Sequence, residues 1–214
     1  MSERASDTAA TGIMWPRPES TDLGRYLEDT ITIDWQTPRV TERSGAALEG
    51  KLSPEDRLRA LFAFVRDDIA HAIDVGPELA TCSASQVLKE GQGICYAQSH
   101  LLAGMLRYAG FPTGFCYARI VSEEQHSGFV LHGFNAVYWA ATERWLFLDA
   151  SGRQGTPEAS VEFGPPWGLP FEVDPDAGES FLPEILRRPA KRIIDLLERA
   201  PDFAAVSRNL PDAL

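Results

Sequence analysis

Residues 91–100 read GQGICYAQSH, and the fold turns on this stretch. Gly91-Gln92-Gly93 is a short loop. Cys95 then opens a run with helical patterning that continues to Tyr108 and stops at Gly110-Phe111-Pro112. Leu101, Leu102, Met105, Leu106 and Ala109 recur at helical spacing, and the small residues Ala97, Ala103 and Gly104 permit close approach. The pattern predicts a buried central helix. A cysteine at its N-terminus would sit at the positive end of the helix dipole. That field favours thiolate, the nucleophilic form of the side chain. A nucleophile also needs a base, usually histidine, and a group that orients the base. His132 lies downstream in LHGFNAVYW and Asp149 in WLFLDAS, each at the edge of a predicted strand.

Working outward, Thr30–Trp35 (TITIDW) alternates and is β-rich, which predicts a strand, and residues 36–50 read as loop. Ser53-Pro54-Glu55-Asp56 has the composition of a helix start: a capping serine, proline at the first helical position and acids in the first turn. The helix should run to about Ala70, with Leu58, Leu61, Phe62, Val65 and Ile69 on one face. Ser85 begins a short helix through Leu88. Strands follow at Phe115–Val121, Leu131–Ala140 and Trp145–Leu148, the last two joined by the hairpin connection 141–144. Residues 151–180 are rich in Gly and Pro, and no Lys or Arg occurs between Arg153 and Arg187. A last helix is expected over roughly 184–199, started or kinked at Pro189. Helices first and strands second make an α+β pattern.

Composition narrows the function. The chain has 214 residues, 44% of them hydrophobic, enough for one globular domain with a real core. A formal net charge of −11 argues against a general nucleic-acid binder. No apolar run approaches the ~18 residues that span a bilayer. The first twenty residues lack a secretory apolar core, so the expected compartment is cytoplasmic. Three widely spaced cysteines, Cys82, Cys95 and Cys116, imply neither a disulfide framework nor a structural zinc site.

Together GQGICYAQSHLL, LHGFNAVYW and WLFLDAS resemble the transglutaminase-like superfamily over roughly residues 56–152. The resemblance implies a papain-like core with a nucleophile helix packed on an antiparallel sheet. Cys95 would be the nucleophile, His132 the general base and acid, and Asp149 the orienter of His132. Phe64–Ile69 would lie on the helix beside the nucleophile helix. On this reading residues 1–50 are an N-terminal extension with one strand, part of the same domain. Residues 51–152 form the catalytic core, and 153–214 a Gly/Pro-rich loop and C-terminal helix decorating it. The implied chemistry is acyl transfer or hydrolysis of an amide in a peptide or modified peptide, with no metal or organic cofactor, and no calcium loop is visible. A non-catalytic binding or scaffold domain, or an arylamine N-acetyltransferase type of enzyme, are the alternatives; the latter lacks a basic patch for its coenzyme A donor.

Further site candidates come from position. The Cys95 backbone N–H is one oxyanion donor, and Gln92 is the nearest polar side chain for a second. Trp167, on the long loop after Asp149, and His126, in SEEQHSG, are candidates for lining the cleft. The loop 155–180, with Phe163, Trp167 and Phe171, is expected to form a lid or rim. Taken singly, Cys95 reads as a small buried hydrophobe, His132 as a satisfied strand histidine and Asp149 as a turn former. His71, His100, Cys82 and Cys116 read as structural. Asn135, three past His132, falls on the opposite strand face.

Overall fold

The computed structural model describes residues 13–76, 78–123, 125, 127–151 and 159–214. In chain order the elements are β1 (Arg17–Pro18), α1 (Pro38–Ala47), α2 (Pro54–Asp68), β2 (Ala70–His71), α3 (Ala72–Val75), α4 (Ala84–Glu90), β3 (Gln92–Gly93), α5 (Cys95–Tyr108), β4 (Thr113–Val121), β5 (Phe129–Trp139), β6 (Arg144–Leu148), β7 (Ser180–Phe181), β8 (Glu184–Ile185), α6 (Lys191–Arg199) and α7 (Phe203–Arg208). The main sheet has the order β6-β5-β4-β7 and is antiparallel throughout. Helix α5 packs on one face of it, with α1, α2 and α4 gathered around the helix. The result is α+β, as the sequence pattern predicts. Among the described residues no helix is long and apolar enough to cross a membrane.

Local chemistry explains the boundaries. Ser53 caps α2 by accepting from the Asp56 amide at 3.0 Å, with Pro54 in the first turn. Ser83 caps α4, and Gly91 ends it in the left-handed conformation, φ 64°. The chain then turns through β3 directly into α5. Every residue of α5 from Cys95 to Arg107 is buried, so its polar side chains need partners inside the protein. Gln98 donates to the Ile69 carbonyl at 2.9 Å, Ser99 to the Tyr96 carbonyl, and His100 Nδ1 meets the Cys82 carbonyl at 2.8 Å. Arg107, 2% exposed, donates to carbonyls of Thr113, Glu28 and Arg187. Burial lowers its pKa to about 10, which leaves it cationic at neutral pH. One guanidinium thus ties the N-terminal segment and the approach to α6 onto the core helix.

Three expectations need correction. Thr30–Trp35 is not a strand: the Thr30 hydroxyl accepts from the Ile33 amide and the Thr30 amide donates to the Ile33 carbonyl, closing a local turn. Ile33 is buried there while Ile31 is 90% exposed, so the alternation reflects one anchored side chain in a bend. Residues 36–50 are not all loop; Thr37-Pro38 starts α1 with proline in the first turn, the same signal as Ser53-Pro54. Residues 184–190 are not helical. Glu184–Ile185 pairs in parallel with Arg17–Pro18, and α6 begins only at Lys191, after Pro189.

The two faces of the sheet carry separate cores. Phe115, Tyr117, Val137, Leu146 and Leu148 face α5. Cys116, Ala118, Phe134, Ala136 and Phe147 face the other way, beneath Tyr26, Trp15 and the 160–181 segment. On the α5 face Gly133 lets the helix approach, because a Cβ there would lie 2.6 Å from the Tyr96 ring. Gly133→Ala should therefore destabilise by about 1–3 kcal/mol through overpacking. Gly164→Ala, whose Cβ would meet nothing within 4 Å, should be near neutral. Urea unfolding of both variants measures the difference; equal stabilities would contradict the close packing of Tyr96 on β5.

Candidate active site

Strand β6 pairs with only part of β5, its last residue Leu148 lying opposite Asn135. The earlier residues of β5, Phe129–Phe134, therefore have no β6 neighbour on that edge. Two groups take the freed backbone positions beside it: Leu131 donates its amide to the Pro211 carbonyl at 2.7 Å, and its carbonyl accepts from the Tyr96 hydroxyl. The N-terminus of α5 is thereby held against the open edge of β5. Asp149 leaves the end of β6 at the same place.

The structure brings Cys95, His132 and Asp149 together in one pocket of about 250 Å³. His132 Nε2 lies 2.7 Å from Asp149 Oδ2. Cys95, the first residue of α5, lines the same pocket. Asp149 is 1% exposed. Its second oxygen, Oδ1, accepts from the Ser151 amide at 2.8 Å and the Ser151 hydroxyl at 2.5 Å, so both carboxylate oxygens have fixed partners. Phe171 sets its ring edge to face against His132, centroids 4.8 Å apart, and covers the side of the imidazole.

These contacts set the charge state. Burial alone would pull the His132 imidazole down, but the Asp149 carboxylate and the Cys95 sulfur, by charge and by hydrogen bonding, outweigh it. The imidazole ends well above its ordinary value. Burial pushes the Asp149 carboxyl up, and it is overcome by His132 and by the Ser151 hydrogen bonds, so that the carboxyl stays below the usual range. Burial pushes Cys82 up to about 12 and Cys116 well above its usual value.

Other sequence candidates lie elsewhere. Gln92 donates its side-chain amide to the Leu79 carbonyl at 3.3 Å and does not line the pocket. The α5 N-terminus has Ile94 at the cap, whose side chain accepts nothing, so no capping side chain takes up the first-turn amides. Trp167 is corrected as a cleft residue. It packs edge to face on Phe147 and against Trp15, in the core behind the sheet. From the same loop Pro170 and Phe171 line the pocket instead, while Phe163 packs on Trp139. His126 and residues 155–158 of the expected lid lie outside the described residues. Asn135 is a buried cross-link, donating to the carbonyls of Ser99 and Gly114. His100, with its pKa pulled by burial to about 4, is neutral and structural. Sequence reasoning missed Ser151 as a partner of Asp149, Phe171 as the cover of His132, and Leu210 in the pocket wall.

A larger cavity of about 430 Å³ lies between the Leu79–Ser83 segment and α6. It is lined by Cys82 and Ser83 but by no histidine; His100, whose Nδ1 meets the Cys82 carbonyl, does not reach it. Among the described residues no group of three or more His, Cys, Asp or Glu side chains could hold a metal ion.

The family model of the transglutaminase-like superfamily matches residues 42–150. No curated protein matches the chain. Similar solved structures include a Cytophaga hutchinsonii protein provisionally described as a cysteine protease, 13% identical with a TM-score of 0.49, covering 65% of this chain and 46% of that one. Another is the periplasmic domain of TgpA from Pseudomonas aeruginosa, 18% identical with a TM-score of 0.46, covering 60% and 46%. The chain spans about half the length of these structures.

The His132–Asp149 pair makes stability depend on pH with a definite sign. His132 is raised, so its contribution is complete below about pH 6.5, the ordinary imidazole value, and is lost as pH rises through the raised one. Asp149 is lowered, so its contribution is complete above about pH 4 and is lost as pH falls through the lowered value. The stability gap between wild type and Asp149→Asn, from urea unfolding across pH, should be widest between about pH 4 and 6.5 and shrink on both sides. A gap that does not vary with pH would contradict the ion pair.

Proposed function

The chain belongs to the transglutaminase-like superfamily, and from that premise we propose that it is a cysteine-dependent enzyme that transfers or hydrolyses an acyl group held as an amide, using Cys95, His132 and Asp149. One observation carries this reading. An imidazole hydrogen-bonded to a buried carboxylate lines one pocket with the cysteine that starts a buried helix.

The proposed steps are these. The Cys95 thiol passes its proton to His132, and the sulfur attacks the amide carbonyl carbon and forms a C–S bond. The carbonyl oxygen gains negative charge, which the Cys95 backbone N–H at the helix start can meet. His132 gives its proton to the departing amine as the C–N bond breaks, leaving a thioester. His132 then takes a proton from an incoming water or amine, which attacks the thioester carbon. The C–S bond breaks, and the sulfur leaves with the proton returned through His132. Asp149 keeps Nε2–H directed at itself and stabilises the imidazolium, so Nδ1 stays turned to the sulfur. Ser151 holds Asp149 in place through the other oxygen.

Alkylation with iodoacetamide near pH 7, mapped by mass spectrometry, tests the nucleophile. Cys95 and Cys82 are 7% and 5% exposed, so access is similar and the difference is chemical. Cys95 should react at least about tenfold faster than Cys82, and His132→Ala should remove most of that advantage. Hydrolysis of a simple acyl nitrophenyl ester should disappear in Cys95→Ala and fall by about 10²-fold or more in His132→Ala. Equal alkylation rates with no ester turnover would instead support a non-catalytic binding domain.

A further inference from the structure

We infer that the pocket beside Cys95 selects an acyl donor whose group next to the reacting carbonyl is apolar and uncharged. This inference rests on the proposed acyl-transfer reading and specifies its substrate class.

The walls of the pocket are aliphatic and aromatic: Ile73, Ile94, Val130, Leu131, Phe171 and Leu210. They come from five separate parts of the chain, the α3 segment, the α5 cap, β5, the loop after Gly168 and the C-terminal segment, so the lining is not the face of any one element. No Lys, Arg or Glu lines it among the described residues. Its one acid, Asp149, is 1% exposed and has both oxygens engaged by His132 and Ser151. A charged side chain entering the pocket would lose water and find, among the described residues, no uncommitted counter-charge, because the His132 imidazolium is already paired with Asp149; that costs far more than burying an apolar group gains. Most of the polar lining residues have partners in the protein: His132 and Ser151 on Asp149, the Tyr96 hydroxyl on the Leu131 carbonyl, His71 Nδ1 accepting from the Ile73 amide, and Gln125 donating to the Ser207 carbonyl; Ser122 completes the lining.

Size limits the group as well. At about 250 Å³ the space falls below the ~300–1,000 Å³ common for small-molecule sites, so it suits one side chain or a short acyl chain. Glu172, the residue after the pocket-lining Phe171, is exposed, and the loop carries no basic residue from Asp174 back to Ala159. An anionic donor therefore meets an apolar wall and no basic residue on this loop.

Two sources share this chemistry, a peptide residue with an apolar side chain and a short fatty acyl group, and the test separates them. Nitrophenyl esters with a common leaving group are compared: N-acetyl-leucyl, N-acetyl-aspartyl, N-acetyl-lysyl and hexanoyl. The readouts are nitrophenolate release and the mass of the adduct on Cys95. The leucyl or hexanoyl ester should acylate Cys95 at least about tenfold faster than both charged esters, relative to their uncatalysed hydrolysis. The faster of the two apolar esters identifies the source. Ile73→Arg should shift the preference toward the aspartyl ester. Similar rates for apolar and charged esters, with Cys95 still acylated, would overturn the inference and leave the acyl-transfer reading intact. The two failures are kept apart by a binding arm that needs no chemistry. N-acetyl-leucinamide should shift NMR signals of pocket residues in Cys95→Ala, and the aspartyl amide should not. Binding of both or of neither would overturn the pocket assignment, whatever Cys95 does.

Discussion

Helix α5 is enclosed by protein along its length, and the rest of the structure is arranged to make that possible. A helix buried all round cannot rely on water for its polar groups. Gln98, His100 and Arg107 accordingly reach backbone carbonyls of neighbouring segments, and Ser99 bonds back to the Tyr96 carbonyl within the helix. Those hydrogen bonds draw in β4, the end of α2, the Cys82 turn and the two chain segments around Glu28 and Arg187. The small residues on its surface and Gly133 on the sheet let the backbones come close. The first turn of the helix opens toward the pocket, and Cys95 stands there.

The candidate site is then a consequence of strand lengths. Because β6 stops opposite Asn135, the chain turns away with Asp149 exactly one residue beyond the sheet, and the β5 edge around Leu131 is left to Tyr96 and Pro211. His132 sits on the opposite strand face from Leu131 and Gly133, next to Phe134 and under Phe171. Its imidazole bridges the gap between the helix start and the strand end. The long segment after residue 159 serves both faces of this arrangement: Trp167 fills the core behind the sheet, and Phe171 closes the side of the site.

Much of this was legible in the sequence. The start of α2 was written in Ser53-Pro54, the length of α5 in its spacing from Cys95 to Tyr108, and β4 to β6 in their alternation, because each depends on local chemistry. The grouping of Cys95, His132 and Asp149 rested on order and on the family resemblance. The Thr30–Trp35 segment misled because a turn with one buried isoleucine produces the same alternation as a short strand. Helix α1 was readable in Thr37-Pro38 but lacks a strong apolar stripe, with only Val40 and Ser44 buried. Non-local contacts left no sequence signal. Nothing near Arg107 points to Glu28 and Arg187, and nothing in Leu210 or Phe171 distinguishes a pocket wall from ordinary packing. Trp167 looked equal to Phe171 because which residue of a loop reaches a site depends on the path of the loop.

The central claim is that Cys95, His132 and Asp149 form one charge-coupled unit, and ¹⁵N NMR of the histidine side chains across pH tests it most directly. His100, held neutral with its pKa near 4, provides an internal reference. The account predicts that the His132 ring keeps both protons well above pH 6.5, the ordinary imidazole value, and that Cys95→Ala and Asp149→Asn each bring its titration down. A His132 ring that titrates at or below the ordinary value, and is unmoved by either substitution, would contradict the coupling and with it the proposed chemistry.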